Sequence, residues 1–259
     1  MLDIKISNFH LKDIKNDLHP SAFIINDEYD LLIMRLPLKQ EETFYADNSS
    51  FIFTNDSYFY FDKDKKEFVD IKSIKQVYNI LNKKIDESLS LSLDIFSKIE
   101  EIEDKFYENI DIKGFNKKWF TLKNQLIRMN RVLSKTIEQL KRFILNYKKE
   151  EDFLEINFHD LLEHLERAQR NSTHSLDKLD ALYNFHTTNS NEKMNRTIYV
   201  LTLLSGIFLP LNLIVGFFGM NTSSLPLTKI ENGTFFVLII LLLSAGITTL
   251  LINRLKNKS

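Results

Sequence analysis

Polar side chains have their strongest claim to chemistry where they are least expected, inside an apolar run near the end of the chain. Residues 197–228 contain no Asp, Glu, Lys or Arg. At about 100° of rotation per helical residue, Asn195, Ile198, Thr202, Ser205, Leu209, Asn212 and Gly216 share one arc of about 100°. The opposite side carries Val200, Leu201, Leu203, Leu204, Ile207, Phe208, Leu211, Ile214, Val215 and Phe218. One small, polar face and one apolar face suit a helix lining a water-filled path through a bilayer, because polar groups at membrane depth face protein or water. A dry seam between helices, glued by Thr202, Ser205 and Asn212, is the competing reading. Two amides on the stripe weigh toward the wet path, since each carries four hydrogen-bonding sites that a dry seam struggles to satisfy. Neutral amides and hydroxyls suit a cation that keeps much of its water, and Mg²⁺ sheds water reluctantly.

Other chemistries find less support. The six histidines (His10, His19, His159, His164, His174, His186) include no pair at the i, i+4 spacing of a helical zinc site and no HExxH motif. The chain has no cysteine, which removes disulfides, thiolate metal sites and cysteine nucleophiles together. Acidic runs such as 100–104 and 150–152 read as solvated helix faces. No phosphate-binding glycine loop is present, so ATP-driven pumping has no visible machinery. Formal charge is −1 over 259 residues, which gives no basic field for nucleic acid. Neither an enzyme nor a cofactor is expected.

The stripe requires a membrane helix, and about 20 apolar residues make one. Residues 198–218 supply that length and residues 235–252 a second span. Lys193 and Arg196 precede the first span and Arg254, Lys256 and Lys258 follow the second, whereas the connection carries only Lys229 and Glu231. Positive charge stays on the cytoplasmic side. Both termini are then cytoplasmic, the protein is multi-pass in the cytoplasmic (inner) membrane, and the connection faces outward. The N-terminus lacks the basic start and apolar run of a signal peptide.

Upstream, residues 22–26, 29–36, 50–54 and 58–61 are rich in β-branched and aromatic side chains with turn signals between them, which predicts a small, mostly antiparallel sheet. From about residue 70 the apolar spacing changes to three and four, interrupted at Gly114. Sheet first and helices after make the fold class α+β. Residues 152–218 contain no Pro or Gly before Gly206. As one helix they would span about 100 Å. The alternative is a joint in the poor helix-forming run 187–191. A helix of that length outgrows the cover its own chain can give, and identical copies are the cheapest neighbours.

Residues 210–221 end in Gly219, Met220 and Asn221, and with the preceding proline-containing span they resemble the first membrane helix and Gly-Met-Asn signature of the CorA family of divalent metal ion transporters. The resemblance continues upstream, through Asn195 and Val200-Leu201-Thr202 to Phe158-His159-Asp160 and Glu163-His164. It implies a homopentameric funnel with an α+β cytoplasmic domain (1–150), the cytoplasmic part of a long stalk helix (151–194), a pore helix (195–218), an external loop (219–233), a second membrane helix (234–254) and a short tail (255–259). It implies that five Asn221 side chains receive a hydrated cation at the outer mouth. Asn195, Thr202 and Asn212 would line the path, Ile198 and Leu209 would form constrictions that gate by dewetting, and Gly219 would permit a tight turn. Asp160 would hold a regulatory divalent ion between subunits. The transported ion is expected to be Mg²⁺, with Co²⁺ or Ni²⁺ as companions. The neutral loop 222–227 is closer to the zinc-transporting branch, although that branch more often replaces Met220, so Zn²⁺ transport, proton-coupled or not, stays open. A non-conducting membrane-anchored scaffold is the alternative from another class.

Overall fold

The computed structural model describes residues 6–41, 43–55, 57–108, 110, 112–220, 226 and 232–256, with 251–253, 255 and 256 described by backbone alone. The chain divides into two compact units, Met1–Asn184 and Phe185–Ser259.

The first unit is built on a five-stranded antiparallel meander in the order β1-β2-β3-β4-β5. Its strands are β1 (Ala22–Ile24), β2 (Asp30–Gln40), β3 (Thr43–Phe53), β4 (Tyr58–Asp62) and β5 (Glu67–Asp70). Register sets Leu32 opposite Phe51 and Phe51 opposite Tyr60. Side chains alternate faces along a strand. Leu32, Met34, Leu36, Phe51 and Phe53 accordingly join the main core, while Leu31, Ile33 and Ile52 join a second cluster with Ile14 of α1 (Asn8–Lys15). Both faces of β2 are thus covered, which explains a run of four buried residues, Leu31 to Met34, where an exposed face would show alternation. Pro37 is tolerated in β2 because β1 pairs only with residues 31–33, and the Pro37 carbonyl accepts a hydrogen bond from Ser88 Oγ at 2.8 Å.

The main core is completed by α2 (Ile74–Tyr107), α3 (Phe115–Tyr147) and the first part of α4 (Glu155–Phe218). Gly114 caps α3 at φ +71°, a left-handed backbone that favours glycine. Phe158, Leu161, Leu165, Ala168, Ser172, Ser175, Leu179 and Leu182 are the buried residues of α4 and recur at three and four. The sequence-predicted hairpins are present, β3 starts seven residues earlier than expected, and β5 and α1 were unanticipated. The helix α4 is unbroken through residues 187–191, so of the two readings of that run the continuous one holds.

One charged network crosses this unit. Asp47 on β3 pairs with Lys84 of α2 at 2.6 Å and with Lys63 at 3.0 Å, and Lys63 also reaches Asp17 at 2.7 Å. Burial opposes the charge of Asp47, but the hydrogen bonds from Lys84 and Lys63 outweigh it and hold the carboxyl below its ordinary range.

The second unit contains the remainder of α4 and α5 (Gly233–Lys256). Both helices are long and apolar enough to cross a membrane, with none of the apolar window of α4 and 6% of that of α5 buried. Hydroxyls on α5 bond back to its own carbonyls, Thr248 to Ser244 at 3.0 Å and Thr249 to Ala245 at 2.8 Å. That removes polar groups which hydrocarbon would leave unsatisfied.

Candidate functional site

All seven residues of the sequence-predicted stripe, Asn195, Ile198, Thr202, Ser205, Leu209, Asn212 and Gly216, are exposed in the single chain. Leu209 is 73% exposed. The half-buried positions of this part of α4 are others: Tyr199, Leu203, Gly206, Ile207, Pro210, Leu211, Ile214 and Phe218. Their arc is centred about 140° from the stripe at helical spacing. On α5, Val237, Leu241, Ser244, Ala245 and Thr248 form a similar half-buried stripe. The shading within one chain therefore falls largely opposite the polar face and leaves that face open.

The chemistry of the open face is that of an acceptor surface. Thr202 Oγ1 donates its proton to the Ile198 carbonyl at 2.8 Å. Its lone pairs are left outward, the orientation a cation or its water shell requires. An added Cβ at Gly216 would meet nothing within 4 Å, so the space beside it is open in one chain. At Gly219 a Cβ would stand 3.0 Å from the Val215 carbonyl oxygen, and the Gly219 N–H donates to that oxygen at 2.8 Å. A close backbone approach at the end of the helix therefore favours glycine at 219, where φ is not positive. Pro210 lies inside α4 and lacks an N–H, which deprives the Gly206 carbonyl of its helical partner. Met220 is described and exposed, whereas Asn221 and the neutral stretch 222–225 lie outside the described residues.

Asp160 is exposed on the first turns of α4, and the structure gives it neighbours that spacing alone did not reveal. His164 Nε2 lies 3.8 Å from Asp160 Oδ1, and its Nδ1 lies 3.0 Å from Asp86 Oδ1 on α2. Asn82 Nδ2 donates to Asp86 Oδ2 at 3.1 Å. Two i, i+4 pairs on facing helices thus meet through one imidazole. Each pair is ordinary in sequence, and only the packing of α2 on α4 joins them. Among the described residues no group of three or more His, Asp or Glu side chains is placed to hold a metal ion. Within one chain the cluster does not enclose a cation by itself.

The fold and the open face together define a class: an α+β unit joined through a long helix to a pair of candidate membrane spans, one of them with an uncovered polar stripe. The chain belongs to the CorA family, since the family model described as CorA-like Mg²⁺ transporter protein matches residues 44–254. As a member with two candidate spans, it is a membrane protein. Over 166 residues it is 28% identical to the putative metal ion transporter YfjQ of Bacillus subtilis (strain 168), covering 62% of this chain and 50% of that protein. It is likewise 28% identical over 166 residues to the cobalt/magnesium transport protein CorA of Methanocaldococcus jannaschii, covering 62% and 51%. The match spans about half the length of these curated relatives. The complete structure of the CorA magnesium transporter from Methanocaldococcus jannaschii superposes with a TM-score of 0.75 at 20% identity, covering 95% of this chain and 82% of that one, which shows a shared fold.

Proposed function

We propose that this chain is one subunit of a homopentameric channel that carries Mg²⁺ across the cytoplasmic membrane, with both termini inside. The observation that carries the reading is the open polar stripe of α4. A face with two amides, two hydroxyls and a glycine, uncovered in one chain and turned away from the chain's own half-buried seam, is what several copies would turn toward a common axis. Asn195, Thr202 and Asn212 line the path, and Ile198 and Leu209 supply the apolar constrictions. The inside-negative potential drives entry, at about 2.3 kcal/mol per charge per 100 mV. Asn221 is the outer ring that meets the hydrated ion, with Gly219 and Met220 setting its place on the chain. Asp160, with His164 and Asp86 beside it, is the cytosolic control point, completed by groups from a neighbouring copy because one chain does not close around an ion.

Uptake into proteoliposomes tests the reading with Mg²⁺, Co²⁺, Ni²⁺ and Zn²⁺ as alternative cargoes. Parent protein should take up Mg²⁺, and Asn221→Ala should slow it tenfold or more; equal flux in the variant removes the outer ring. In the same vesicles Asp160→Ala should carry flux at internal Mg²⁺ levels that silence the parent, and identical inhibition curves would take Asp160 out of the control site. The neutral loop 222–227 favours a second reading, Zn²⁺ as cargo. Faster Zn²⁺ than Mg²⁺ flux would establish it, and a pH-gradient dependence would add proton coupling. No flux of any of the four ions would leave a membrane-anchored scaffold.

A further inference from the structure

We propose that a cleft between β1, β2 and α3, away from the ion path, binds a small phosphorylated molecule through the guanidinium groups of Arg35 and Arg131 and the ammonium of Lys135. The cavity holds about 400 Å³, within the range of small-molecule sites. Three cations line it against one carboxylate, Glu138. Asp17 also acts on Arg35, from outside the lining, and Arg128 opposes it there as a like charge.

The hydrogen-bond inventory shows what this cleft lacks. Ser21 Oγ accepts from the Arg35 N–H at 2.8 Å and lies 2.8 Å from Thr136 Oγ1, which also sits 2.6 Å from the Arg35 carbonyl. The hydroxyls are satisfied, and they latch the sheet to α3. One guanidinium, that of Arg35, keeps an unmet donor, and that of Arg131 is exposed at the cleft. Arg35 Nη1 donates to the Leu18 carbonyl at 3.1 Å, yet Arg35 Nε is buried without a partner. Arg131 has no hydrogen bond or ion pair among the described residues, and Lys135 meets Glu138 at 2.9 Å at the rim. A buried donor without an acceptor is unfavourable, and burial followed by Arg128 repulsion already works against the charge on Arg35. Nε is closed even to water, whereas the cleft beside it is open and keeps an excess of positive charge. An oxyanion in the cleft would offset that charge, and the arginine fork matches phosphate geometry. The space exceeds a single phosphate group, leaving room for an organic portion beside Pro20 and Val132.

The test uses the full chain in dodecyl maltoside micelles, in metal-free and phosphate-free buffer, titrated calorimetrically with pyrophosphate and separately with citrate. Pyrophosphate should bind more tightly than citrate. Arg131→Gln should weaken it at least tenfold at an unchanged unfolding midpoint, and the rim variant Lys135→Gln about threefold. Failure of pyrophosphate to bind, citrate binding as tight or tighter, or full affinity in both variants would each overturn the assignment. Because the readout is binding without metal, it stands or falls separately from ion flux.

Discussion

Asp47 shows at the residue scale how one carboxylate ties β3 to α2 and, through Lys63, to Asp17 beyond α1. Its native pKa lies below the ordinary value of 3.8, so near that pH the unfolded chain binds more protons than the native one. The stabilisation is complete above about pH 4 and is lost as pH falls through the lower native value. Asp47→Asn should cost about 1–3 kcal/mol at neutral pH, because Lys84 keeps its charge without its carboxylate. Urea unfolding of parent and variant from pH 7 to pH 3 checks this, and the two curves should converge at the acid end. Convergence is the signature of the linkage; a constant offset would mean packing loss. Legibility varied at this scale too. The polar stripe could be read because helical phase alone brings Asn195, Thr202 and Asn212 to one side, whereas Asp86 and His164 meet only through long-range packing of α2 on α4.

At the scale of elements, the reach of sequence reasoning followed the strength of local periodicity. The long helices were legible from three-and-four spacing, and Gly114 marked the junction between α2 and α3 because few other residues adopt its backbone. Gly114→Ala should cost about 1 kcal/mol from the left-handed conformation. The open space around that position leaves no steric penalty to add. Thermal unfolding of the full chain measures it. The beginning of β3 was hidden because Asp47, Asn48 and Ser49 carry turn-type side chains. In the structure Asn48 Nδ2 donates to the carbonyls of Asn16 and His19, and Lys84 Nζ donates to Ser49, so these polar residues enter a strand. Strand β5 is four residues long with acidic ends, too short for any alternation to register. The α1 helix has a Ser7 cap, whose hydroxyl accepts from the Phe9 N–H at 3.3 Å, but only eight residues over which to show a period.

For the whole molecule, the decisive feature is the unequal cover of α4. Its buried residues all precede Asn184, and from Phe185 to Phe218 no residue is buried. In the homopentamer proposed above, lipid and neighbouring copies would cover that portion. The two candidate spans were legible from uncharged runs. Oligomeric state is a property of an assembly, which no local pattern encodes.

In the channel proposed above, the unbroken helix α4 makes the angular phase of the polar stripe a quantity set residue by residue along the chain. One extra residue within 187–191 advances everything after it by about 100° and turns the amides out of the path, while seven extra residues, about two full turns, nearly restore their bearing. Ion flux should vanish with the first insertion and return in substantial part with the second, as vesicle uptake would show. Length along this helix is then tolerated in steps of whole turns, and its sequence is constrained at 187–191 less by what those residues are than by how many of them there are.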